Sequence, residues 1–153
     1  MRNTLSILFL LITFSAAAQK VKIKKGKVFI DKEEYVLSEE DKLSDGSFII
    51  SNLKGEELFY LKYNTYSDPK YRRDTNPNGM VGYFELISKD LETVYFESGT
   101  HPSISASGMS KKTFKILYNG EVINTDGTIN KDKLEMVSKK VGFEFTKKRT
   151  ELN

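Results

Sequence analysis

Five stretches of this chain hold residue types that can do chemistry, and each asks for a different kind. The run Asn124-Thr125-Asp126-Gly127-Thr128-Ile129-Asn130 has the look of the centre of an EF-hand calcium loop. With Gly127 at the glycine position, Asn124 and Asp126 fall on ligand positions. The first ligand position is then Val122 and the twelfth is Lys133, so the first acid and the bidentate glutamate are both missing. The expectation is a turn leading into a helix cap. His101 is the sole imidazole, with Ser103, Ser105 and Ser107 near it. Residue types alone do not make a Ser-His-Asp site, and no Gly-x-Ser-x-Gly elbow is present. One His and no Cys suit zinc poorly.

Carboxylates are the remaining catalytic inventory. Glu39-Glu40-Asp41 reads as a solvated run in a polar loop. Glu85 and Glu97 differ, because each sits within an apolar strand. Facing outward they are ordinary; facing inward across a cleft, one would hold a raised pKa and could serve a small hydrolase. No phosphate-binding glycine motif and no dinucleotide fingerprint occurs. The inventory names no catalytic residue, no metal and no cofactor, and it leans away from an enzyme.

The fifth stretch is a long polar one, residues 64–79. It carries Asp68-Pro69, Arg72-Arg73-Asp74 and Asn76-Pro77-Asn78-Gly79. Loops longer than about 12 residues are uncommon and are often functional. Tyr66 and Tyr71 can stack on a sugar or peptide, and Arg72, Arg73, Asn76 and Asn78 can hydrogen-bond to it. These six residues are the expected contact surface; the alternatives are a plain surface excursion and tyrosines that lie against the sheet edge.

Around these stretches the chain reads as hairpins. Val21 and Ile23 alternate with Lys, as in a half-buried strand, and Gly26 turns into Val28-Phe29-Ile30. The lysine row reads as a protected edge rather than a patch for an anionic surface. Tyr35-Val36-Leu37 follows a second turn. Residues 48–53 and 58–63 form a hairpin apolar on both faces, expected at the middle of the sheet. Residues 81–87 and 93–97 form the next pair.

From Ser110 the pattern changes. Phe114, Leu117 and Tyr118 suit a helix, while Phe114, Ile116 and Tyr118 also suit a strand; helix is preferred. Asn130 can cap a second helix over 131–141 that stops at Gly142, with Leu134, Val137 and Val141 on one face. Phe143 and Phe145 are expected to pack back, and residues 147–153 to fray. The fold expected is α+β: an antiparallel sheet of hairpins followed by two C-terminal helices packed on one face.

Composition sets the setting. Arg2, an apolar run over 5–14 broken by Ser6 and Thr13, and Ser15-Ala16-Ala17-Ala18 together have the order of a secretory signal peptide. The apolar stretch is short of the roughly 20 residues of a membrane helix. Cleavage is expected near Ala18, leaving one domain over 19–146 in the periplasm or outside the cell. The formal charge of +3 is too small for a nucleic-acid binder. With no Cys, thiol and iron–sulfur chemistry are excluded and no disulfide supports the core. Eight Tyr and ten Phe supply apolar area instead.

The opening that ends Ala-Ala-Ala-Gln-Lys, the following Val-Lys-Ile-Lys-Lys-Gly-Lys-Val, and the Asn-Pro-Asn-Gly, Leu-Tyr and Asn-Thr-Asp-Gly-Thr-Ile-Asn segments carry a resemblance. Over most of its length the chain resembles small uncharacterised exported proteins of Bacteroidota-type bacteria. The resemblance implies export into or across a Gram-negative envelope and supplies no catalytic residue. The function expected is contact with an envelope or extracellular protein or polysaccharide, with no stable membrane span. A carboxylate hydrolase and a carrier of an apolar ligand are the alternatives.

Overall fold

A computed structural model describes residues 19–99 and 106–152. The leader and His101, with Ser103 and Ser105, lie outside the described residues. Seven strands run β1 (Val21–Lys24), β2 (Lys27–Ile30), β3 (Glu33–Glu40), β4 (Phe48–Ser51), β5 (Glu57–Ser67), β6 (Met80–Ser88) and β7 (Val94–Gly99). Three helices follow: α1 (Ala106–Asn119), α2 (Lys131–Val141) and α3 (Glu144–Glu151). Each strand pairs antiparallel with the next, so the sheet order is the sequence order. The lysine-bearing β1 is an edge, with Lys22 and Lys24 exposed.

The α+β architecture matches the expectation, and its curvature adds to it. Bulges between Val28 and Phe29, Ile50 and Ser51, and Leu86 and Ile87 break the register and sharpen the twist. Helix α1 consequently touches β1 at one end of the sheet and β6 and β7 at the other. The sheet thus curls around α1, whose Met109, Phe114 and Leu117 are fully buried against Val28, Ile50, Leu61, Leu86 and Phe96. Buried Met109, Thr113, Phe114 and Leu117 lie at helical spacing, which settles the ambiguity at 110–119. A strand would have sent Tyr118 inward with Phe114, yet Tyr118 is exposed.

Helix α2 lies on the same face through Leu134 and Val137. Its start and stop are local. The Asn130 Oδ1 accepts from the Lys133 amide at 3.1 Å, and Gly142 at φ +69° ends it. Gly120 does a different job. A Cβ there would sit 2.3 Å from Val137 Cγ2, so the missing side chain lets α1 and α2 close together.

Helix α3 corrects two expectations, the frayed tail and the packing of Phe143. Residues 147–151, expected to begin a frayed tail over 147–153, are helical. It also packs on the opposite face from α1 and α2. Adjacent residues of a strand point to opposite faces. Phe84 belongs to the main core, whereas Tyr83 joins Tyr66, Val81, Tyr71 and Phe145 in a second, smaller one. The Tyr83 and Phe145 rings stack with centroids 5.0 Å apart and planes 2° from parallel. Phe143, expected to pack back with Phe145, is instead exposed. Among the described residues no helix is long and apolar enough to cross a membrane.

Candidate functional site

The six contact residues expected at 64–79 do not converge on one site. Strand β5 continues to Ser67, pairing with Met80, so only residues 68–79 form the loop. Tyr66 is therefore a strand residue, 7% exposed, and burial raises its hydroxyl pKa. Tyr71 lies in a single 3-10 turn (Pro69–Tyr71), half-buried against the second core. Asn76 braces the loop from within. Its Nδ2 donates to the Tyr71 and Met80 carbonyls at 3.3 and 3.0 Å, and its Oδ1 accepts from the Met80 amide at 2.9 Å. The Asn78 carbonyl accepts from Ser67 Oγ at 2.5 Å. Gly79 holds φ +62°, and a Cβ there would meet the Asp68 carbonyl oxygen at 2.2 Å. The side chains of Arg72, Arg73 and Asn78 are the exposed remainder.

Glu85 and Glu97 stand directly opposite each other across β6 and β7, on the face that α3 covers. Glu97 points inward and is 3% exposed. Its Oε2 accepts from the Phe145 and Thr146 amides at 2.8 and 2.9 Å, and its Oε1 accepts from Thr146 Oγ1. A buried carboxylate thus caps the N-terminus of α3, where the free amides and the helix dipole favour negative charge. Both of its oxygens are engaged with the helix, which leaves none facing a substrate. Half-buried Glu85 has Lys62 as its neighbour in β5.

Three distant segments do converge, at the start of β3, the β4–β5 turn, and the stretch from the end of α1 to Asn130. Together they line an open cleft of about 850 Å³, within the roughly 300–1,000 Å³ of small-molecule sites. Asn52 is the tie. Its Oδ1 accepts from the Lys54 and Glu56 amides, each at 3.0 Å, which shapes the β4–β5 turn. Its Nδ2 donates to Glu56 Oε2 at 2.6 Å and to the Gly127 carbonyl at 3.2 Å, across to the far wall.

That far wall is closed on itself. Ile123 bridges to Ile129, and Asp126 Oδ1 accepts from the Thr128 amide at 2.9 Å and its hydroxyl at 2.6 Å. The calcium-like run is therefore a braced turn ending in the Asn130 cap. No group of three or more metal-ligating side chains occurs among the described residues.

Two tyrosines meet in the cleft. Tyr35 and Tyr118 are edge-to-face, 5.2 Å between centroids and 82° between planes. The Tyr35 hydroxyl is buried without a hydrogen bond within the described residues, and its burial beside Tyr118 drives its pKa well up. Tyr118 is 36% exposed and Leu53 51%, giving apolar surface on a polar wall. Charges around the rim are nearly balanced. Glu34 pairs with Lys27 and Glu121 with Lys133, each at 2.8 Å. The Lys133 hydrogen bond lowers the Glu121 pKa. The Thr128 hydroxyl and amide lower that of Asp126, with Lys54 adding to the effect. Among the described residues Glu33 has no counter-ion, and the Glu33, Asn119 and Thr125 side chains make no hydrogen bond.

Such a cleft can hold a ligand. Neither Glu121 nor Asp126 keeps a proton at neutral pH, so neither can act as a general acid there. Sequence reading missed the cleft because its parts are far apart in the chain. The available signals were Tyr118 at the polar end of a helix and Asn52 ahead of a tight turn. Comparison of the chain with protein-family models, curated proteins and solved structures gives no match.

Proposed function

We propose that this is an exported protein that works by contact, holding a partner or polymer of the cell envelope or its surroundings in the Tyr35–Tyr118 cleft. The export reading rests on the leader-like pattern of residues 1–18 and on the resemblance drawn from the sequence. The contact reading rests on the cleft: an open space of about 850 Å³ where exposed aromatic surface meets side chains with unused hydrogen-bonding capacity. The two alternatives draw less support. Glu97, offered to a hydrolase, is fully engaged in capping α3. The concave side of the sheet, which an apolar carrier needs as a cavity, is filled by Met109, Phe114 and Leu117.

Retention of envelope material on immobilised protein tests the reading. Tyr118→Ala, at an exposed helix position, should abolish retention while leaving the fold intact. Arg72→Ala with Arg73→Ala should leave retention unchanged. The reverse pattern moves the contact surface to the 68–79 loop. Mature protein beginning elsewhere than near Gln19, or found uncut in the cytoplasm, defeats the export half.

A further inference from the structure

We propose that the Tyr35–Tyr118 cleft takes a short stretch of a neutral glycan, an inference that rests on the contact reading above. The argument begins with charge. Glu34 and Glu121 are matched by Lys27 and Lys133, and Asp126 has Lys54 beside it. Among the described residues, Glu33 alone of the lining carboxylates has neither an ion pair nor a hydrogen bond. A uronate or phosphate polymer brings a negative charge with every unit and meets, among the described lining residues, four carboxylates and one cation, Lys54, so desolvating it is poorly compensated. A basic peptide needs several unmatched acids and finds one.

Shape and bonding capacity then choose among uncharged ligands. A pyranose ring has an apolar C–H face and a rim of hydroxyls that both donate and accept. The exposed Tyr118 ring and Leu53 offer the matching apolar patch. Asn119 donates and accepts, Thr125 does both, and the Glu33 carboxylate accepts from paired hydroxyls. An exposed aromatic flanked by such groups fits that alternation of face and rim. The cleft is open rather than enclosed, and the Asn52 to Gly127 hydrogen bond joins two of the segments that line it. An open, braced cleft lets a chain pass through, whereas an enclosed one would take only a terminal unit.

The test titrates the purified protein with cello-, malto- and chito-oligosaccharides, with oligogalacturonate as the anionic probe and oligolysine as the cationic one. Calorimetry gives affinity and amide shifts give location. At least one neutral series should bind and shift Asn52, Tyr118 and Gly127. Tyr118→Ala should weaken it by about tenfold or more. Raising salt from about 0.05 to about 0.5 M should change affinity less than about twofold, since screening acts on unpaired charge. Glu33→Gln, which keeps the shape, should weaken binding without altering the unfolding midpoint. Tighter binding of oligogalacturonate or oligolysine than of every neutral probe overturns the inference. So does the absence of any cleft shift with the neutral series. If that absence comes with Tyr118→Ala still abolishing retention of envelope material, the ligand class is wrong and the contact reading stands. If Tyr118→Ala changes neither, both fall.

Discussion

Two Asn- and Gly-bearing loops, 68–79 and 124–130, share a way of closing and differ in where they sit. Both are closed by their own side chains: Asn76 braces the first, and Asp126 with Thr128 braces the second. The first folds down against the second core through Tyr71 and presents only scattered arginines. The second packs Gly127 directly against the Asn52 side chain, which hydrogen-bonds to it, and lines one side of a cleft. Self-bracing therefore does not separate them. What separates them is what each rests on: the second core for the first, and the Asn52 side chain at the β4–β5 turn for the second.

The largest effect should come from breaking the self-braced loop. Gly79→Ala forces a Cβ against the Asp68 carbonyl at a positive φ. It should cost more than about 3 kcal/mol in urea unfolding, with affinity at the cleft unchanged in the remaining folded protein. An unaltered midpoint would mean that the loop yields, and the contrast with 124–130 would fail. Glu97→Ala comes next. It removes the acceptor for the Phe145 and Thr146 amides and should cost about 2–3 kcal/mol. The loss should appear in hydrogen exchange as opening of α3, with α1 and α2 still protected. Exchange rising equally in all three helices would show that α3 is integral to the main core rather than docked on it.

That contrast between helices also marks what sequence could show. Helix α2 was legible because its cap, its stop and its apolar face all lie within its own residues, from Asn130 to Gly142. Helix α3 was not, because Phe143 supplies no side-chain cap and the carboxylate that does lies 48 residues upstream of Phe145. The hairpins were legible from their alternation and turns. The end of β5 was missed because Asn64 and Thr65 read as polar loop, although Tyr66 between them and Ser67 continues the alternation into the second core. The cleft needs Tyr35, Asn52, Tyr118 and Gly127 to meet. Only the curl of the sheet and the closeness of α1 and α2 bring them together, and no local pattern encodes either.

A smaller effect sharpens the comparison from the other side. Asn52→Ala removes the one oxygen that accepts from both turn amides, and the link to Gly127. It should cost about 1–2 kcal/mol, less than Gly79→Ala, yet weaken retention at the cleft far more. Loss of stability without loss of retention would mean that the two walls hold their spacing unaided, and that the tie is not what distinguishes this loop.

The smallest effect is electrostatic and confined to the 124–130 loop. The Thr128 hydroxyl and amide lower the pKa of Asp126 in the folded protein. A carboxylate depressed on folding stabilises the fold above its unfolded pKa and loses that contribution as pH falls through the folded value. The loop should therefore be unchanged at neutral pH and loosen only below the ordinary aspartate range near 3.9. The Thr128 amide shift should report the transition, with a midpoint below that of an unstructured aspartate. Asp126→Asn, whose amide oxygen can still accept from Thr128, should abolish the transition while keeping the turn. A midpoint at or above the ordinary value would show that solvent competes for Asp126 and that the wall is not closed. The braced cleft, and with it the distinction between the two loops, would then rest on Asn52 alone.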